Sequence, residues 1–171
     1  MSTKNLLASI TCALIALVAQ PISIAAANPS LAGSWQFTLT PATPTPGISI
    51  PGLATFTADG SVVETDGSEV APSPGPSATS AATFGTPGHG IWQLLPARTG
   101  FYVQYISIVV NPDGALNSYN TTTMTVSVIS ATTATMLSGD YTTVRTDPNG
   151  NVIKTISGAV SGQLIPHPKF P

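Results

Sequence analysis

Charge is scarce in this chain of 171 residues: Asp, Glu, Lys and Arg together make up 7%. Cysteine is scarcer, with one residue, Cys12, set inside the most apolar stretch. There are two histidines, no His-Glu-x-x-His, no Gly-x-Ser-x-Gly elbow, and no Gly-rich loop carrying the Lys of a phosphate site. Each shortage removes a class of function. A metal centre needs three or four converging ligands, and one His beside scattered Asp residues has no such spacing, so no metal and no cofactor are expected. Asp59, Asp113 and Asp147 belong to turns. A carboxylate pair would have to come from Glu64, Asp66, Glu69 or Asp140, three of which lead into a loop. Asp140 reads instead as a surface or rim partner of Arg145 or Lys154.

The first residues are organised as an export signal. Lys4 supplies a positive start, Leu6 to Val18 is an apolar run, and Ala25-Ala26-Ala27 offers small residues ahead of a cleavage point before Asn28. The run is about 13 residues, short of the ~20 needed to span a bilayer, and Pro21 follows it. The expectation is a signal peptide over 1–27, no membrane span after its removal, and a secreted or periplasmic protein. Residues 28–171 then form a single domain without cysteine and hence without a disulfide. Four cations remain (Arg98, Arg145, Lys154 and Lys169) against seven acids, a formal net charge of −3. So few positive charges cannot build a phosphate-tracking groove or a basic membrane-binding surface, which argues against nucleic acid as a partner.

What is abundant is alternation. Ser34 to Thr40 places Trp35, Phe37 and Leu39 on one face and polar residues on the other, a half-buried strand. Leu53–Thr57 and Ser61–Thr65 flank Asp59-Gly60, a tight hairpin signal. Asp113-Gly114 and Asn149-Gly150 mark two further reversals, and Ser130-Ala131-Thr132 a fourth. Phe101 to Val110 is apolar on both faces, as in a strand covered on both sides or lying at a subunit contact. Gly139 suggests a bulge or bend, and Gly158 and Gly162 let a long last strand curl. Residues 66–90 are rich in Pro, Ser, Ala and Gly and read as a long loop, either a lid at a barrel mouth or a surface excursion. No helical period stands out. The expected fold is all-β: a closed antiparallel up-and-down barrel of about eight strands.

Gly33-Ser34-Trp35 at the head of the first strand resembles the Gly-x-Trp signature of the lipocalin and calycin barrels. The segments FTADGSVVE (56–64), TPGHGIWQ (86–93), LSGDYTTVRTDPNGNV (137–152) and SGAVSGQLI (157–165) are similar to a family of exported bacterial proteins of unassigned activity with small lipocalin-like barrels. The resemblance implies a fold and a capacity for an apolar ligand; it carries over no catalytic residue. In lipocalins the tryptophan packs under an arginine of the last strand. Here the comparable region carries Gln163, and no arginine follows Arg145.

Aromatics are the lead toward a site. Trp35 and Phe37 read as core filling, whereas Phe56, Trp92, Tyr105 and Tyr141 are candidates to line an interior with tyrosyl hydroxyls as orienting groups. His89, between two glycines before the Trp92 strand, is a candidate hydrogen-bonder or general base near a rim, or simply a turn residue. His167 sits between prolines in a solvated tail. The leading expectation is a binding barrel for a small hydrophobic molecule. The alternatives are a cofactor-free cyclase or isomerase of the allene oxide cyclase-like barrel type, which needs His89, a tyrosine and a buried carboxylate on one pocket, and a cell-envelope structural or interaction module that self-associates. Asn120-Thr121-Thr122 is a glycosylation sequon, relevant only in a host that glycosylates exported proteins.

Overall fold

The computed structural model describes residues 30–42, 48–67, 83–96, 99–130 and 135–166. The expected leader (1–27), residues 68–82 of the long loop, Arg98, the reversal at Ala131-Thr132 and His167 lie outside these. Nine strands follow one another: β1 (Gly33–Pro41), β2 (Ile50–Phe56), β3 (Ser61–Asp66), β4 (Phe84–Gly85), β5 (Gly88–Leu94), β6 (Phe101–Val110), β7 (Leu116–Ser130), β8 (Thr135–Thr146) and β9 (Val152–Leu164). All pairings are antiparallel, and eight strands close a ring in the order β1-β2-β3-β5-β6-β7-β8-β9, with β9 returning to β1. This is the closed antiparallel barrel expected from the alternation; no described helix is long and apolar enough to cross a membrane.

The two-residue β4 is the extra strand. It pairs with Val109 and Val110 of β6, beyond the point where β5 leaves that edge. Pro87 has no N–H to give the ladder, and Thr86 bridges the gap: its amide donates to the Ile108 carbonyl and its hydroxyl accepts from the Ile108 amide. Part of the segment read as a loop over 66–90 is therefore sheet, with Asp66 ending β3 and Gly88 opening β5. Gly139 carries no bulge. It lies where β8 crowds β7, and a Cβ there would come within 1.9 Å of the Thr125 carbonyl oxygen. The register shifts sit elsewhere, at Val109/Val110 on the β6–β7 pair and at Arg145/Thr146 on the β8–β9 pair.

Three short turns hold the meander. Gly60, Gly114 and Gly150 have φ of 92°, 82° and 88°, values that favour glycine. In each, the preceding aspartate (Asp59, Asp113 or Asp147) accepts an amide N–H two residues on.

One end of the ring is packed closed. Trp35, Phe37, Phe56, Val62, Phe101, Val103, Val126, Leu137 and Val160 point inward and are buried. Leu31, ahead of β1, is wholly buried beneath them, and its carbonyl accepts the Trp35 indole N–H at 2.9 Å. That bond anchors the tryptophan without a lipocalin-type arginine; Gln163 faces outward opposite Gln36. Trp92 seals the same end, donating its indole N–H to the Thr57 carbonyl at 2.9 Å and meeting Phe101 edge-on at 5.6 Å.

Candidate functional site

Period-two alternation carries the inward face of every strand from the closed end to the opposite one, and its chemistry changes on the way. The innermost void is about 10 Å³, bounded by Phe37, Phe56, Val103 and Met124 among others, with Glu64 and Tyr105 the polar residues in its wall. It holds on the order of one water. Beyond it many inward positions of β3, β6, β7 and β8 turn polar, while Leu39 of β1 and Val109 of β6 stay apolar and buried. On β3, Glu64 is 2% exposed and Asp66 follows on the same face. On β6 come Tyr105 and Ser107, on β7 Thr122, Asn120 and Ser118, and on β8 Tyr141, Thr143 and Arg145.

Glu64 and Tyr105 belong to strands that are not neighbours; β5 runs between them. Gly88 occupies the inward position of β5 at that level, and a Cβ on it would lie 2.5 Å from Tyr105 Cδ2 and 3.0 Å from Glu64 Oε2. The missing side chain is what brings the carboxyl and the ring together across the intervening strand. Tyr105 faces Thr122 in register, and Thr122 faces Thr143. The two threonine hydroxyls bond each other at 2.8 Å. The Tyr105 and Tyr141 hydroxyls are both buried and have no hydrogen-bond partner among the described residues. Burial pushes the Tyr105 phenol well above the ordinary tyrosine value, the negative charges of Glu64 and Asp66 add to the rise, and the Thr122 hydroxyl, close by but outside hydrogen-bond geometry, offsets part of it. Tyr141 is raised by burial and then by Asp66.

Above this layer Arg145 is half-buried. Its Nε donates to Ser118 Oγ at 2.6 Å and its Nη2 to Asn117 Oδ1 at 3.2 Å. Ser118 is wholly buried, and Asn117 is tied to Asn111 by a further bond of 2.9 Å. Burial lowers the arginine's pKa. The expected pairing with Asp140 does not form, because Asp140 is exposed on the outer face while Arg145 points inward. Asn120, first residue of the sequon, stands opposite Ser107 and Arg145 on the inward face.

The candidates read from the sequence therefore separate. Phe56 and Tyr105 border the void, Tyr141 lies in the polar layer, and Trp92 sits at the closed end. His89 is exposed on the outer face between Val63 and Ile106, so the constellation of His89 with a tyrosine and a buried carboxylate is not assembled. Glu64, read from the sequence only as one of four scattered carboxylates, and Arg145, read only as a rim partner of Asp140, both belong to the interior. Glu64 could have been found: Val62 and Glu64 share one face of a six-residue strand, and Val62 must point inward. Among the described residues no group of three or more His, Cys, Asp or Glu is placed to hold a metal ion. Compared with family models, with curated proteins and with solved structures, the chain matches none of them.

Proposed function

We propose that this protein is an exported barrel that binds a small, largely hydrophobic molecule carrying a polar group, taken into the open half of the ring. The carrying observation is the pair of buried tyrosyl hydroxyls, Tyr105 and Tyr141, that have no hydrogen-bond partner among the described residues. A buried unsatisfied hydroxyl costs on the order of 1–3 kcal/mol. A ligand hydroxyl, carbonyl or carboxyl placed between them removes that cost, while Phe56, Met124 and the surrounding apolar wall receive its body. A void of about 10 Å³ is far below ligand size, so binding displaces interior side chains, with unbranched Met124 the most adaptable. The leader-like residues 1–27 and the likeness to lipocalin barrels support export and a carrier role.

A second reading, a self-associating envelope module, is favoured by the outer surface. Leu53, Val63, Ile91, Ile106 and Ile108 are 40–56% exposed on the adjoining strands β2, β3, β5 and β6. None of the outward residues paired among them in these strands is charged. Native mass spectrometry of protein purified without detergent from its own cells tests both. A reproducible extra mass released on denaturation supports the binding barrel; a bare mass with a concentration-dependent dimer supports the module.

A further inference from the structure

At the polar end of the ring Arg145 is half-buried and fixed by Ser118 and Asn117, both neutral, and it has no ion-pair partner among the described residues. Lys154 of β9 is its register partner, so two positive side chains stand directly opposite each other on the same face. Like charges so placed repel and destabilise a strand pair. Both register shifts of the barrel flank this spot: one sets Asn117 out of register on β7, the other Ile153 on β9. Bulges re-aim side chains, and here the first turns Asn117 onto the guanidinium. The acids nearby are otherwise engaged. Asp147 is bonded to Asn149 and Asn151, and Asp66, on β3 across the ring, has interactions of its own and raises Tyr141 by its charge.

We propose that Arg145 and Lys154 are the receptor for an anionic group, a carboxylate, sulfate or phosphate, at the outer end of the molecule that the open half binds. Three features combine in it: an arginine held in place by neutral acceptors, donors left over for an oxyanion, and a second cation to share its charge. A guanidinium has five N–H donors, of which two bonds to Ser118 and Asn117 occupy a part. The anion bridges Arg145 and Lys154, turns their repulsion into attraction, and leaves the ligand's chain pointing down toward Tyr141 and Tyr105. This inference rests on the binding reading above.

Titrations of the whole protein with octyl sulfate, octanol and inorganic sulfate, followed by tryptophan fluorescence and calorimetry, separate the two. The expected result is octyl sulfate binding about ten-fold or more tighter than octanol, with the advantage shrinking as salt rises. In Arg145→Gln the two affinities converge, and in Lys154→Gln, an exposed position with little bearing on folding, the gap narrows several-fold. Inorganic sulfate competes with octyl sulfate and not with octanol. Equal binding of octyl sulfate and octanol, or a gap that survives both substitutions, overturns the anion receptor and leaves the binding barrel standing. No binding of either amphiphile overturns both.

Discussion

The two halves of the barrel interior are built from the same strands and obey different rules. Toward the closed end Trp35, Phe37, Phe56, Phe101, Val126 and Leu137 form one apolar cluster, and the two indole N–H groups are both bonded to carbonyls. Toward the opposite end the same alternation delivers Glu64, Tyr105, Thr122, Tyr141 and Arg145, with two hydroxyls and a cation that find no hydrogen-bond or ion-pair partner, respectively, among the described residues. A chain with 7% charged residues has placed a carboxyl, a guanidinium and two phenols inside its own ring. Burial of such groups is costly unless partnered, so this half gives up stability that the apolar half supplies. Folding explains the closed end; it does not explain the open one.

The sharpest way to break this contrast is to attack each half with one substitution. Trp35→Ala removes the wholly buried anchor of the closed end and its bond to Leu31, and should cost roughly 3–5 kcal/mol in chemical denaturation. Gly88→Ala strikes the seam between the halves by pushing the Tyr105 ring away from Glu64. A loss of about 1–3 kcal/mol is expected from overpacking, together with altered near-ultraviolet ellipticity from the displaced tyrosine. An unchanged melting curve for G88A would show that the contact between ring and carboxyl is loose.

In the open half the sign reverses. Tyr141→Phe deletes an unsatisfied buried hydroxyl and keeps the ring, so the ligand-free protein should gain about 1 kcal/mol, seen as a rise of a few degrees in Tm. The same variant should bind its ligand more weakly. Destabilisation by Y141F would mean that the hydroxyl already has a partner in solution. A smaller effect appears at high pH. The Tyr105 phenol is raised in the folded state, so its stabilisation is complete below the unfolded tyrosine value near 10. As pH climbs further, the unfolded chain loses a proton that the folded one keeps, and stability falls. Tyr105→Phe should flatten that alkaline limb. The faintest response is at the turns. Asp59 and Asp147 are held below the usual carboxylate value by hydrogen bonds from Thr57 and Ser61 and from Asn151 and Asn149. Their small contribution is present above the unfolded aspartate value, near 4, and is lost on acidification through the lower folded value; Asp147→Asn should remove part of that acid dependence.

The closed half was legible in the sequence and the open half was not. Trp35, Phe37 and Leu39 alternate with polar neighbours, and each Asx-Gly pair marks a turn, so the strand train and its direction of burial follow from local pattern. Glu64 and Arg145 obey the same alternation, yet a charged residue on an inward position reads locally as solvent-facing, and only closure of the ring encloses it. Its composition hid β4, since Pro87 and the glycines around it signal loop while Thr86 supplies the missing ladder bonds from its side chain. Arg145 reads as a surface ion-pair partner because Asp140 is near in sequence; five residues along a strand place the two on opposite faces.

Asn120 bears on how the protein can be made. Oligosaccharide is attached to an Asn-x-Thr triplet as a chain emerges into a glycosylating compartment, before distant strands have met. On this chain the sugar would sit on an inward position of β7, between Ser107 of β6 and Arg145 of β8, where the three strands pair. A branched glycan does not fit there, so a modified chain could not close β6, β7 and β8 around it. Production in a eukaryotic secretory host would sort molecules by the order of two events, sugar transfer and ring closure, with only the unmodified fraction reaching the barrel.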